Sequence, residues 1–230
     1  MASPTPPAPT ATKKSITSLP TDQVNIAATS RLVSEIWATK YPNFNIVATN
    51  LANFTTLATR FGQNVTAKSQ LLGKRKVLSQ SLVTLNKEMD AKVKYLKSYL
   101  KEEFGEEAAR SYYASFGLVS EGKSEKLPSD RDRRVMSLKA IVSEIGNNVA
   151  LSGKKYGLNY WTTQLNELET QWQAAKNMDS DLSAYTDILR TDQAELKVLL
   201  LKIKQQLKLN TGNTYKQVWR EWGFQTEKYK

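Results

Sequence analysis

The chain has 230 residues, 40% of them hydrophobic and 24% charged, with a formal net charge of +11 at pH 7. It contains neither cysteine nor histidine, which excludes disulfides, thiolate or imidazole metal sites, a cysteine nucleophile and any triad built on histidine. The balance is that of a globular protein long enough to bury a core without cross-links, and its basic charge favours acidic partners such as nucleic acid, anionic lipid or an acidic protein.

Residues 1–19 are rich in Pro, Thr and Ala, with Pro4, Pro6, Pro7 and Pro9 close together, and are expected to form a disordered tail. They lack the apolar core of a signal peptide, and no run in the chain reaches the ~18 apolar residues of a membrane span. Cytoplasm, or a larger assembly, is the expected setting. Thr21 and Asp22 follow Pro20 and predict a helix start, with Val24, Ala28, Leu32 and Ile36 as its buried stripe. Pro42 biases Tyr41 out of the helical region and ends that helix near Thr39. A second helix is predicted on the stripe Phe44, Val47, Leu51, Phe54, Ala58 and Phe61, closing at Gly62. Between Val24 and Gln63 the charged residues are Arg31, Glu35, Lys40 and Arg60. A hairpin this poor in charge is either central to its own bundle or buried against a partner.

Asn64 is placed to cap a third, long helix whose stripe runs Leu71, Leu78, Leu82, Leu85, Met89, Val93, Leu96, Leu100 and Phe104. Residues 105–128 break the pattern, with a loop or short hairpin about Gly122. Leu127-Pro128-Ser129-Asp130 then opens a helix carrying Val135, Leu138, Ile141, Val142 and Ile145. In the last third, Trp161, Leu168, Ala175, Leu182, Leu189, Leu196 and Ile203 fall every seventh residue, as in coiled coils and bundles. Run as one helix, 158–208 would be on the order of 75 Å long; a break at Asn177 to Ser180 is the alternative. A companion series turns polar at Asp179, Thr186 and Gln193. Residues 211–230 form an aromatic and basic tail with Trp219 and Trp222, expected to dock on the bundle or on a partner.

The expected fold is therefore all-α: an elongated helical bundle over residues 20–210 with an insertion around 105–128. The expected role is non-enzymatic, a structural or adaptor protein acting through a protein partner or self-association, with Leu182, Leu189, Leu196, Trp219 and Trp222 as candidate interface residues. A basic nucleic-acid-binding accessory protein is the alternative, and a pore-forming or membrane-surface protein the third class. Candidate anion contacts are Lys94, Lys97 and Lys101, interleaved with Tyr95 and Tyr99, and Arg131, Arg133 and Arg134. Gly117 to Ser124 matches the phosphate-loop pattern G-x-x-x-x-G-K-[ST], but the preceding residues make a poor buried strand and Pro128 forbids a long helix after it. No nucleotide, metal or other cofactor is expected. Glu102, Glu103, Glu106 and Glu107 read as a solvated helix end.

Overall fold

A computed structural model describes residues 19–121 and 124–224. Most of the predicted tail, residues 1–18, lies outside the described residues. Among the described residues the fold is all-α apart from one small hairpin. In chain order it has α1 (Gln23–Lys40), α2 (Leu51–Phe104), α3 (Glu106–Tyr112), β1 (Val119–Glu121), β2 (Ser124–Lys126), α4 (Arg131–Gly146), α5 (Val149–Ser152), α6 (Leu158–Thr211), a 3-10 turn (Gly212–Thr214) and α7 (Tyr215–Glu221). The chain divides into two compact units, one comprising Met1–Ser69 with Ala184–Lys230, the other Gln70–Ser183. The long helices α2 and α6 supply residues to both.

In the first unit, Asp22 caps α1: its carboxylate accepts the Asn25 backbone N–H at 2.9 Å, and that bond holds it below the usual carboxylate range. The buried face of α1 is Ile26, Ser30, Val33, Ser34, Ile36 and Trp37; of the predicted Val24-Ala28-Leu32-Ile36 stripe it includes Ile36 alone. Val24 is 66% exposed. Both faces of α1 carry apolar or small residues, so periodicity alone did not separate them; the largest side chain, Trp37, decides which one turns inward. The second helix begins at Leu51 rather than Phe44 because Asn50 caps it, accepting the Asn53 N–H at 2.8 Å. Residues 41–50 form an irregular connection with a tight turn closed by an Ile46–Thr49 bridge. Neither Gly62 nor Asn64 breaks the chain: α2 runs through both. An isolated helical glycine costs only about 1 kcal/mol against Ala, and Phe54, Leu57, Ala58 and Phe61 bury one side of α2 just before it. The same core takes Leu189, Leu196, Leu200, Ile203 and Leu207 from α6 and Trp219, Trp222 and Phe224 from the C-terminal segment.

The second unit packs the middle of the chain. Leu82, Leu85, Met89, Val93, Leu96 and Leu100 of α2 meet Val135, Leu138, Ile141 and Ile145 of α4 and Trp161, Leu165, Leu168 and Ala175 of α6. Gly105, at φ +82°, ends α2, and α3 follows within the stretch expected to be non-helical. Seven residues held by one buried alanine, Ala109, are too few for periodicity to register. The hairpin is present, with Val119 opposite Lys126 and Ser120 opposite Glu125. Asp130 caps α4, accepting the Arg133 N–H at 3.0 Å. α6 is one helix, without a break at Asn177 to Ser180.

Candidate functional site

The first unit is organised around aromatic rings. Trp37 on α1 donates its indole N–H to the Phe44 carbonyl at 2.8 Å, which ties the 41–50 connection to the helix. The Phe44 ring meets Trp37 edge-on at 5.3 Å and Trp222 at 5.2 Å; Tyr41 lies 5.3 Å from Trp222. The Tyr41 hydroxyl donates to Glu221 at 2.9 Å, and burial, reinforced by that carboxylate, pushes its titration up. Trp37 and Phe44 line a groove of about 860 Å³, completed by Ala38 and Pro42 on one side and by Leu51 and Thr55 on the other. Glu35 is the charged residue of its described lining and is ion-paired with Arg31 at 3.6 Å. The 41–50 connection also carries Val47 at the tip of its turn, fully exposed at 109%. No charged residue occurs between Lys40 and Arg60, so the loop and the first turns of α2 are uncharged, and Glu35 of α1 is the charge at the groove. Arg60 at its edge donates two bonds to the buried Asp192, at 2.6 and 3.1 Å.

The residues singled out for an interface sit largely inside the chain. Leu189, Leu196 and Trp222 are fully buried, Trp219 nearly so, and Leu182 is half-buried. Their apolar surface is used within the first unit, except for Leu182, which belongs to the second. Trp219 donates its indole N–H to the Lys204 carbonyl at 3.0 Å, and the Lys204 ammonium lies 4.3 Å from the Trp219 ring. Burial pushes Lys204 below the usual lysine range. The polar positions of the companion series divide. Asp179 pairs with Arg75 at 2.7 Å, Gln193 donates to the Thr21 carbonyl at 3.0 Å, and Thr186 is exposed.

The candidate anion contacts also separate. Lys97 donates to the Glu125 carbonyl at 2.5 Å, and Lys101 pairs with Glu106 at 2.6 Å. Lys94 is exposed beside Tyr95, whose ring stacks on Tyr156 at 4.7 Å. The Lys and Tyr ladder is thus largely engaged with the protein itself. Glu102 likewise pairs with Lys154 at 2.8 Å. Arg133 points into solvent, whereas Arg134 is buried and pairs with Asp90 at 3.0 Å. Arg131 lies 5.3 Å from the Trp172 ring. Sequence reasoning missed Arg75, which joins Arg131 and Arg134 from a helix more than fifty residues earlier; no local pattern signals such a meeting.

The phosphate-loop match falls partly on Gly122 and Lys123, outside the described residues. Its flanks do not have the strand-loop-helix arrangement. Ser124 pairs back onto Glu121 in an antiparallel hairpin, where a nucleotide site needs a helix to open with its N–H groups on the phosphates. Among the described residues, no cluster of three acidic side chains could hold a metal ion, and no helix is long and apolar enough to cross a membrane. Set against protein-family models, curated proteins and solved structures, the chain matches none.

Proposed function

We propose that the chain is a non-enzymatic assembly protein that self-associates through the charge-poor groove and the uncharged loop of its first unit. The observation that carries this reading is the absence of charge from Tyr41 to Thr59 in a chain of net charge +11. Two copies of so basic a chain repel one another, and they approach at least cost where each presents the fewest cations. Interface cores are depleted of charge in the same way. The surface is also self-complementary in kind, which a two-fold contact requires. One segment offers both a concave element, the groove over Trp37 and Phe44, and a convex one, the exposed Val47 tip. A second copy supplies the knob for each groove. The apolar ladder of α6 supports the fold beneath this surface rather than the contact itself.

Sedimentation velocity on the full chain at physiological salt tests the proposal. Mass is expected to rise from monomer toward dimer between micromolar and submillimolar concentration. Val47→Glu combined with Ala52→Glu, both at exposed positions, should hold the protein monomeric with its circular dichroism and melting temperature unchanged. A wild-type chain that stays monomeric throughout, or a doubly substituted chain that keeps the native mass, overturns it.

A further inference from the structure

The second unit holds a cavity of about 310 Å³ whose described lining contains three arginines, Arg75, Arg131 and Arg134, and no carboxylate. Two of the guanidiniums are already bonded, each partly to the lining itself: Arg75 donates to Ser79, and Arg134 to the Asn86 carbonyl at 3.4 Å. Arg75 is clamped by Asp179 at 2.7 and 3.1 Å. Arg134 donates to the Pro128 carbonyl at 2.8 Å and pairs with Asp90. Each retains N–H groups beyond those bonds, because a guanidinium carries five donors. Arg131 differs: it forms no hydrogen bond or ion pair among the described residues, and its guanidinium rests over the Trp172 indole. Lys176 approaches the same indole at 5.6 Å.

Two polar atoms of the lining residues are buried without a partner: the Trp172 indole N–H and the Asn86 side-chain oxygen. Buried polar atoms in folded proteins are nearly always satisfied by protein, water or ligand. Charge decides between the last two here. Three guanidiniums face two carboxylates behind the wall, Asp179 and Asp90, so the cavity keeps a net positive charge, which favours an anion over water. Donors arriving from three helices match a tetrahedral oxyanion, whose oxygens point in several directions, better than a planar carboxylate, which suits one arginine fork. The Asn86 amide can present either its oxygen or its N–H₂ by turning over. The volume admits a phosphate group with room for a small substituent.

We infer that this cavity binds a phosphate group, as free inorganic phosphate or as the terminal phosphate of a small ester, with Arg131 supplying the guanidinium not held in an ion pair and the Trp172 indole N–H a neutral donor. Titration calorimetry on the full chain, with inorganic phosphate and with phenyl phosphate at ionic strength matched by sodium chloride, tests this. Saturable binding in the submillimolar range is expected for at least one of them, and the tighter of the two identifies the free ion or the ester as the source. Arg131 is exposed, so Arg131→Gln should fold normally; it should weaken binding roughly tenfold. Arg133→Gln, a change on the same helix outside the cavity lining, should leave binding unchanged. Trp172→Phe keeps a ring and removes the N–H, and should weaken binding several-fold. Absence of saturable binding to either compound overturns the inference. So do equal losses in Arg131→Gln and Arg133→Gln, the signature of diffuse surface charge.

Discussion

Leu182, Leu189 and Leu196 occupy equivalent positions of one seven-residue repeat, yet truncating them should have unequal effects. Leu189 and Leu196 are fully buried in the first unit, and Leu182 is half-buried. Leu→Ala removes three carbons, a transfer loss of roughly 2.4 kcal/mol at ~0.8 kcal/mol per methylene. At Leu189 the space left behind is walled by neighbours and closed to water, so a cavity term of ~24 cal/mol per Å³ adds to this and brings the total to about 3–5 kcal/mol. At Leu182 the side chain already meets water on one side. About half the transfer term applies and no sealed cavity forms, giving about 1 kcal/mol. Urea denaturation of the three single variants, followed by circular dichroism, measures the differences directly. Equal losses at Leu182 and Leu189 would show that burial does not grade this ladder, and the assignment of its C-terminal half to a closed core would fail.

Trp222→Ala should cost about 3–5 kcal/mol, because its ring is fully buried against Phe44, Trp37 and Tyr41; a melting temperature within a degree or two of wild type would show that the C-terminal segment is not part of the core. Gly117→Ala should cost at least about 1–3 kcal/mol, since Gly117 has φ +71° and an added methyl would lie 2.7 Å from the Ser137 Cα; unchanged thermal stability would refute that backbone geometry. Burial, with Glu88 and Tyr156 adding to it, pushes Tyr160 from 10.0 up to about 12. A folded-state value above the unfolded one stabilises fully below pH 10 and is lost as pH rises toward 12. Tyrosinate absorbance of Tyr160→Phe should therefore lack the last step of the wild-type titration, and its alkaline loss of stability should be shallower; superimposable curves would contradict this. Isothermal titration with ATP or GTP should give no heat that depends on Lys123, and micromolar affinity abolished by Lys123→Ala would reverse the reading of the hairpin.

The sequence made the long repeats legible because a stripe that recurs over many turns leaves little choice of face. The α6 ladder, the α2 stripe from Leu82 to Leu100 and the Asp130 cap of α4 were all readable in this way. Short or ambiguous signals failed. α1 has small and apolar residues all round, and its inward face is settled by Trp37 meeting Phe44 and the distant Trp222. Gly62 looked like a terminator because local propensity was weighed without the packing that precedes it. Of the two surfaces argued above, the charge-poor segment was visible as composition, but the groove was not, since it depends on how residues 41–50 fold against α1. Arg131 and Arg134 were visible as a cluster, while Arg75 entered only through the packing of α2 on α4 and α6.

The two units differ in when they can form during synthesis. The second is a continuous stretch of chain, Gln70–Ser183, and has all its residues once the ribosome has passed Ser183. The first is split across the chain, and Trp37 and Phe44 wait for Trp219, Trp222 and Phe224, which are made after the second unit. Domains generally fold as units as they emerge, so the middle of this chain has its partners while Trp37 of α1 is still without Trp222. Until then the apolar face of α1 and the start of α2 are open to water or to whatever binds them. A stop codon just before Trp219 would accordingly leave a chain with an intact middle and an α1 that has lost the C-terminal part of its core.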